Sequence, residues 1–549
     1  MTEISLDDIA GAERVLGVAF TEAERAQMRG DLAGQIAAAA SRRALDFPNA
    51  SPTATLFDPR LPGVEAPAGP VRAVAAPREH GLLPENDDDI AFAPLVALSH
   101  WLRTGRISAR RLTEIYLARI ERLNPKLECF ITVTAERALA EADTADAALA
   151  AGDWKGPLHG VPYGLKDLFD AAETRTTWGA EPYAERVSAG DATIVARLRE
   201  AGAVLLGKTA VGALAYGDVW HGGVCRNPWN PEEGSSGSSA GSGAATAAGL
   251  VGFAIGTETL GSITAPAARC GCVGLRPTFG RVPRTGGMAL CQSLDKVGPI
   301  CRRAEDAALV LAALAGPDGA DRACIRAGFD FDGAARLHPI RLGYMPALFQ
   351  ASPSPVDDAA LAAALALPGV TPVKLELPDF PYAALVNVLF AEAAASFERL
   401  TLTGGDDRLK RQDDGAWPNA FRKARFLSAV DHVQADRLRY LVMQAFDRLF
   451  RLADIVISPF GFDEMLIATN FTGHPALLLP AGFERLPSRP LVSFGEGGIE
   501  EGAGAPDAPR FEVPRGVTLT AGLWNEARLI RFGMALEAKL GATGRRPPL

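Results

Sequence analysis

Residues 234–249, GSSGSSAGSGAATAAG, decide how this chain is read. A Gly/Ser run usually marks a flexible linker. Here it passes without a break into an Ala-rich helical pattern and then into the apolar run 251–255. Linkers do not enter a core that way, so loop, helix and strand in succession mark a packed corner of an α/β body. The next residues, 256–278 (GTETLGSITAPAARCGCVGLRPT), gather small residues and a serine into a tight turn ahead of Pro266. Small residues let backbone N–H groups converge, which an oxyanion pocket requires.

Working outward, helices and short apolar runs keep alternating. Ser108 caps a helix whose apolar positions Leu112, Ile115, Tyr116, Ile120 and Leu123 recur every three to four residues. Residues 129–133 read as a strand, 134–151 as an Ala-rich helix, and 191–201 as a helix feeding the strand 203–206. Downstream, strands are expected at 340–344, 373–377, 455–458 and 476–479, and a long surface loop at 486–510. The class is therefore α/β, with one large sheet covered by helices and no internal repeat.

Three segments divide the chain. Residues 1–46 form an N-terminal helical extension, in which Thr21 and Glu24 make a capping box and Phe20 precedes as a staple. Residues 47–90 are Pro-rich and read as an arm or linker. Residues 91–549 form the main body. The extension either braces that body or makes a homodimer contact.

Composition excludes several classes. Among 549 residues, 48% are hydrophobic and 22% charged, which is ordinary for a globular protein. The net charge is −9 with no basic run, so no nucleic-acid partner is expected. Seven cysteines, an odd number, make no disulfide framework and suit a reducing compartment. Cys270 and Cys272 lie close, but no second cluster gives zinc spacing, so no metal is expected. The N-terminus lacks a signal pattern, and the longest nearly uncharged apolar stretch, 241–256, is too short to span a bilayer. A cytoplasmic protein without membrane contact is expected.

A further candidate lies upstream, in residues 156–170, GPLHGVPYGLKDLFD. Lys166 there follows Val161, Tyr163 and Leu165, an apolar approach that can bury its amine. A lone Lys or Ser is ordinarily solvated surface or turn; it is the joint context of these segments that makes them candidates for chemistry.

Together they resemble the amidase signature family. Gly160-Val161-Pro162-Tyr163-Gly164-Leu165-Lys166-Asp167 matches that family's lysine motif. Ser236-Gly237-Ser238-Ser239-Ala240-Gly241-Ser242 occupies its serine loop, Gly256-Thr257-Glu258-Thr259-Leu260-Gly261-Ser262-Ile263 its nucleophile turn, and Gly274-Leu275-Arg276-Pro277-Thr278 the motif that follows. Residues 226–230, 295–299 and 470–476 continue the resemblance, which spans roughly 91–540.

The resemblance implies one large mixed central sheet covered on both faces by helices. It also implies roles: Ser262 as nucleophile, Ser238 as the bridging serine on a cis peptide bond, and Lys166 as general base. The backbone amides of Thr259, Leu260 and Gly261, with Ser262, are implied as the oxyanion hole, and Asp167 and Ser239 as supporting residues. The implied activity is hydrolysis of a small-molecule carboxylic amide, and also of esters or carbamates, through an acyl-enzyme. No cofactor is implied. A related reading is an amidotransferase-type subunit that works only with a partner protein. The sequence departs from the family pattern at Glu258 (commonly Asp), Leu260 (Gly), Thr264 (often Arg), Ser236 and Ala240 (both Gly). Leu260 is expected to narrow the pocket, and Thr264 supplies no carboxylate-binding group.

The chemistry stands apart from the name. A serine hydroxyl needs a base near neutral pH. Lysine, with a pKa of about 10.4, serves only if burial penalises its ammonium form. A second serine can relay the proton, since a hydroxyl both donates and accepts.

Two other motifs compete. Residues 202–209 (GAVLLGKT) fit the phosphate-loop pattern, but their middle is apolar and strand-like. Residues 237–241 fit G-x-S-x-G with Ser239 as nucleophile, but no strand precedes them. Lys208 and His432 are therefore expected to be dispensable for turnover, and His159 and His221 to serve packing or turns; His474 is the other downstream histidine that a Ser–His–Asp site would need. Residues 386–450, with Trp417, Pro418, Asn419, Phe421, Phe426 and Tyr440, are expected to shape either an apolar or aryl acyl pocket or simply a helix core.

Overall fold

The computed structural model describes residues 4–490 and 504–549. Its centre is an 11-stranded mixed sheet. In chain order the strands are β1 (Phe130–Val133), β2 (Pro162–Lys166), β3 (Val204–Thr209), β4 (Phe253–Glu258), β5 (Val273–Arg276) and β6 (Lys296–Cys301). They continue with β7 (Ile340–Tyr344), β8 (Val370–Lys374), β9 (Ile455–Pro459), β10 (Ala476–Pro487) and β11 (Arg510–Ala521). Their order across the sheet is β8-β7-β9-β11-β10-β5-β6-β4-β2-β3-β1. β2 runs parallel to both β3 and β4, and β7 parallel to β8 and β9. Antiparallel ladders join the remaining neighbours.

Helices cover both faces, so the inner strands are buried on both sides and read as continuous apolar runs. The main core gathers the sheet with the helices flanking it; a second apolar cluster lies beneath residues 375–471. The helix Ala240–Ala247, drawn from the deciding stretch, has all eight residues buried. Its small residues permit close approach: a Cβ on Gly241 would sit 2.2 Å from Ala210 N and 2.3 Å from Cys129 O.

Residues 4–46 contain two helices, α1 (Leu6–Leu16) and α2 (Glu22–Arg43). Thr21 and Glu24 form the capping box. Phe20 staples nothing: it is exposed, and the residue four positions into α2 is Arg25, which pairs with Glu13 instead. α2 buries no side chain. Residues 71–74 add a short parallel pair with 329–332.

Several expected strands move. The strand read at 251–255 is Phe253–Glu258, because β6 pairs with it as far as Glu258. The strand read at 373–377 ends at Lys374; Val373, Leu375 and Leu377 pack into the second apolar cluster. β10 runs far past 479 and pairs with β11 from Ala476↔Thr520 to Pro487↔Arg510, with an irregularity between Pro480 and Gly482. The expected loop 486–510 thus begins and ends as strand; residues 491–503 of it lie outside the described residues. The phosphate-loop reading fails, since Val204–Thr209 is a buried strand through Lys208. No helix among the described residues is long and apolar enough to cross a membrane.

Candidate active site

The site forms at the carboxyl ends of the parallel strands β2 and β4, where open α/β sheets place their ligands. Lys166 is the last residue of β2 and is fully buried. Its Nζ donates to Ser238 Oγ at 2.7 Å, to Thr257 Oγ1 at 2.7 Å and to Thr257 O at 3.3 Å. Burial pushes the Lys166 pKa well below the ordinary lysine value, against the opposing pull of Asp295 and Glu258.

Ser238 lies in the loop before the helix Ala240–Ala247. Every described peptide bond is trans, so the cis bond implied by resemblance is not present; consecutive positive φ angles at Ser236 (70°) and Gly237 (56°) turn the chain there instead. Ser262 Oγ accepts from Ser238 N at 3.3 Å. Among the described residues no hydrogen bond joins the two serine hydroxyls, and such contacts commonly tighten only around substrate. The amides of Thr259, Leu260, Gly261 and Ser262 donate to no protein acceptor among the described residues.

Ser239 binds β4 twice: its hydroxyl accepts from Thr257 N and donates to Thr257 O, each at 3.1 Å. Asp167 Oδ2 accepts from Thr177 N (2.8 Å) and Thr177 Oγ1 (2.5 Å). Its other oxygen lies 3.0 Å from Lys208 Nζ, both side chains being fully buried. The hydrogen bonds of that ammonium go elsewhere, to Phe169 O and Thr176 Oγ1 at 2.7 and 2.6 Å. Lys208 is therefore a buried partner of Asp167 on the underside of the site.

Sequence reasoning assigned no role to Glu258, Arg276 or Asp295. Glu258 Oε2 accepts from Ile263 N and Thr264 N, both at 2.9 Å, and from Thr264 Oγ1 at 3.1 Å. Oε1 accepts from Arg276 Nη1 at 2.7 Å and Asn470 Nδ2 at 3.1 Å. Burial raises the Glu258 pKa, but the charge and hydrogen bond of Arg276 outweigh it and bring it to about 2. The carboxylate thus straps the turn that carries Ser262. Asp295 accepts from Thr259 Oγ1 (2.6 Å), Leu290 N (2.9 Å) and Cys291 N (3.0 Å), tying that turn to the next loop. Residues 295–299 lie within the family resemblance, which was the available signal.

A cleft of about 650 Å³ opens over Ser238 and Ser262. Tyr216, Leu260, Leu290, Leu389, Phe390 and Trp417 line it, with Val386 and Phe462, and no charged side chain does among the described residues. From the region 386–450 only Val386, Leu389, Phe390 and Trp417 reach it. Phe421 stacks behind Trp417 at 4.9 Å, while Phe426 and Tyr440 are exposed. No histidine lines it among the described residues. His474 is buried against Phe446 and Phe450 and bonded to Thr472; burial takes its pKa down to about 3. His159 bonds Ala145 O and packs on Trp154. No group of three His, Cys, Asp or Glu placed to hold a metal occurs among the described residues.

The fold and cleft are those of an α/β protein with an amidase-like central sheet. The chain belongs to the amidase signature family: the Amidase family model matches residues 111–462. It is 34% identical over 430 residues to the A subunit of glutamyl-tRNA(Gln) amidotransferase from Roseiflexus sp. (strain RS-1), covering 70% of this chain and 88% of that one. Its fold resembles native peptide amidase from Stenotrophomonas maltophilia (TM-score 0.68, 29% identity, 83% of this chain and 98% of that one). A chain from a protein complex bearing on the origins of an s-triazine catabolic enzyme, inhibitor-bound, matches with TM-score 0.71 and 28% identity, over 83% of this chain and 100% of that one.

Proposed function

We propose that the protein hydrolyses neutral, apolar carboxylic amides on its own, through an acyl-enzyme on Ser262. Lys166 acts as general base, Ser238 relays the proton, and the amides of Thr259, Leu260, Gly261 and Ser262 hold the oxyanion. Asp167 and Ser239 fix the lysine strand and the serine loop from behind. The amine leaves with the relayed proton, and water then releases the acid and restores Ser262.

The observation that carries this reading is the buried Lys166, 2.7 Å from Ser238 Oγ beneath a cleft that Ser262 faces. Burial keeps its amine neutral at a pH where a solvated lysine is charged. The absence of charged lining residues among those described favours an uncharged aryl or alkyl acyl group. Free cysteines, six of them buried, suit a reducing, cytoplasmic setting.

The second reading, an amidotransferase-type subunit working with a partner, draws support from the curated relatives. Glutamine carries an ammonium and a carboxylate, and burying either without a countercharge is costly. The apolar cleft therefore favours the stand-alone enzyme.

Labelling with a fluorophosphonate, followed by peptide mapping, tests the assignment. An adduct on Ser262 that Lys166→Ala abolishes is the expected result, with turnover of aryl amides lost by about 10³-fold or more in either Ser262→Ala or Lys166→Ala. An adduct on Ser239, or wild-type turnover in Ser262→Ala, would overturn it. Turnover of L-glutamine but of no apolar amide would favour the partner-dependent reading.

A further inference from the structure

Along the cleft, Leu214 (φ 53°), Ala215 (φ 64°) and Ser236 (φ 70°) take left-handed backbone without being glycine. A side chain in that conformation is strained, and it persists only where its surroundings hold it. Ser236 matters most, because Ser238 lies two residues on and must meet both Lys166 and Ser262. Gly237 between them leaves no slack. A Cβ there would sit 2.4 Å from Pro266 Cδ, so the loop is pressed onto the helix that follows Ser262. A shift at Ser236 is therefore passed on to Ser238.

Asp218 is the residue that holds Ser236. Its carboxylate is buried, and Oδ2 accepts from Ser236 N at 2.9 Å. Burial raises the Asp218 pKa, and the Ser236 amide and then Arg489 pull against that rise. Asp218 is itself anchored. Cys225 N donates to Asp218 O at 3.0 Å, and Ser235 N donates to Cys225 O at 2.9 Å. Successive backbone hydrogen bonds thus tie Asp218 to the root of the serine loop, and the pairing Val219↔Val224 closes the hairpin between Asp218 and Cys225.

Asp218 also continues the cleft wall. Ala215, Tyr216 and Gly217 line the cleft, and Trp417 Nε1 donates to Leu214 O at 3.0 Å. One carboxylate therefore joins the wall that faces substrate to the loop that carries Ser238. Neither Asp218 nor Ser236 lines the cleft itself, so the carboxylate works through Ser238 and not on substrate.

Resting on the proposed hydrolase reading, we propose that Asp218 is a positioning residue: it holds Ser236 in its left-handed conformation and so sets Ser238 against Lys166 and Ser262. Its effect falls on the proton relay, which acylation and deacylation both use. A misplaced relay serine slows the chemical steps and leaves binding in the cleft alone. The strain and its support form a pair. A glycine adopts the left-handed conformation freely, so Ser236→Gly removes most of what Asp218 has to hold.

The test is a mutant cycle on the full chain, with kcat and KM measured on an aryl amide and melting temperatures followed by circular dichroism. Asp218→Ala is expected to lower kcat by about tenfold or more, with KM within about twofold of wild type. In a Ser236→Gly background the same change is expected to cost about threefold or less. In a Ser236→Ala background, which keeps the Cβ, the full loss should remain. Melting temperatures should show the same coupling, with Ser236→Gly raising that of Asp218→Ala more than that of wild type. Wild-type kcat in Asp218→Ala, or an equal loss in the wild-type and Ser236→Gly backgrounds, would overturn the proposal. Should Asp218→Ala fail to fold, the double variant Asp218→Ala, Ser236→Gly must fold and turn over, and its failure would overturn the proposal equally. Absence of any turnover in wild type would instead overturn the hydrolase reading, and the melting temperatures would then decide whether Asp218 holds Ser236.

Discussion

Lys166 is useful as a base because it is buried, and the same burial has a cost. Its folded pKa lies below the unfolded value, so the unfolded chain holds the proton more strongly. The cost is full below the folded pKa and is relieved as pH rises to about 10.5. Lys166→Met should therefore flatten the rise in thermal stability that the wild type shows as pH climbs from the depressed Lys166 pKa toward about 10.5. In activity the sign is related: the neutral amine is the working form. The acidic limb of kcat/KM should fall about tenfold per pH unit below the Lys166 pKa, and that pKa should lie well under 10 in a pH–rate profile. Lys208 carries a different expectation. Removing its ammonium leaves Asp167 buried beside Lys166 with no cation 3.0 Å away. Lys208→Ala should destabilise by about 3–5 kcal/mol in denaturant melts, although the sequence reading expects it to leave most turnover.

At the scale of elements, the turn between β4 and the helix Thr264–Cys270 carries the chemistry, and Glu258 holds it. The carboxylate accepts two amides of that helix's first turn and anchors to Arg276 of β5 and Asn470 of the helix Glu464–Phe471. Glu258→Gln keeps the shape but weakens a charge-assisted strap. It should lower kcat by about tenfold or more with little change in KM, because an oxyanion hole acts in the transition state. A rise in KM with kcat preserved would show that Glu258 shapes the pocket instead. The sequence made much of this legible. The alternation of helices and apolar runs announced the α/β sheet, and the Gly/Ser stretch announced the helix packed into it. Lys166, Ser238 and Ser262 were named from their motifs, and the structure brings them together. The unread parts share a cause: they depend on partners distant in sequence. β2, β5 and β6 are short and Gly-containing, and only their neighbours make them strands. β11 is interrupted by Pro514 and Arg515, which break the alternation a strand search relies on. The Glu258–Arg276 pair could not be inferred from spacing, and of the aromatics in 386–450 only those facing Ser262 could matter.

Across the whole molecule, the N-terminal hairpin stands apart from the body. α2 buries no side chain, and Arg42 and Asp46 reach the body through ion pairs with Glu398 and Arg399. Exposed ion pairs contribute little, about 0–1 kcal/mol each. Residues 6–43 should exchange their amide hydrogens well before the sheet does. Proteolysis near residues 44–48 should release them and leave the melting temperature of the body unchanged; a lowered melting temperature would give the hairpin a bracing role. The sheet itself has a consequence in time. By strand pairing, β7, β8 and β9 join the half that carries Lys166 and Ser262 only through β11, which sits between β9 and β10 although it is the last strand in the chain. During synthesis from the N-terminus the two halves can each gather, but no strand pairing joins them until residues 510–521 have emerged. A nascent or prematurely terminated chain would therefore expose two raw sheet edges side by side, and its dependence on chaperones should end only when the final strand slides in and seals them.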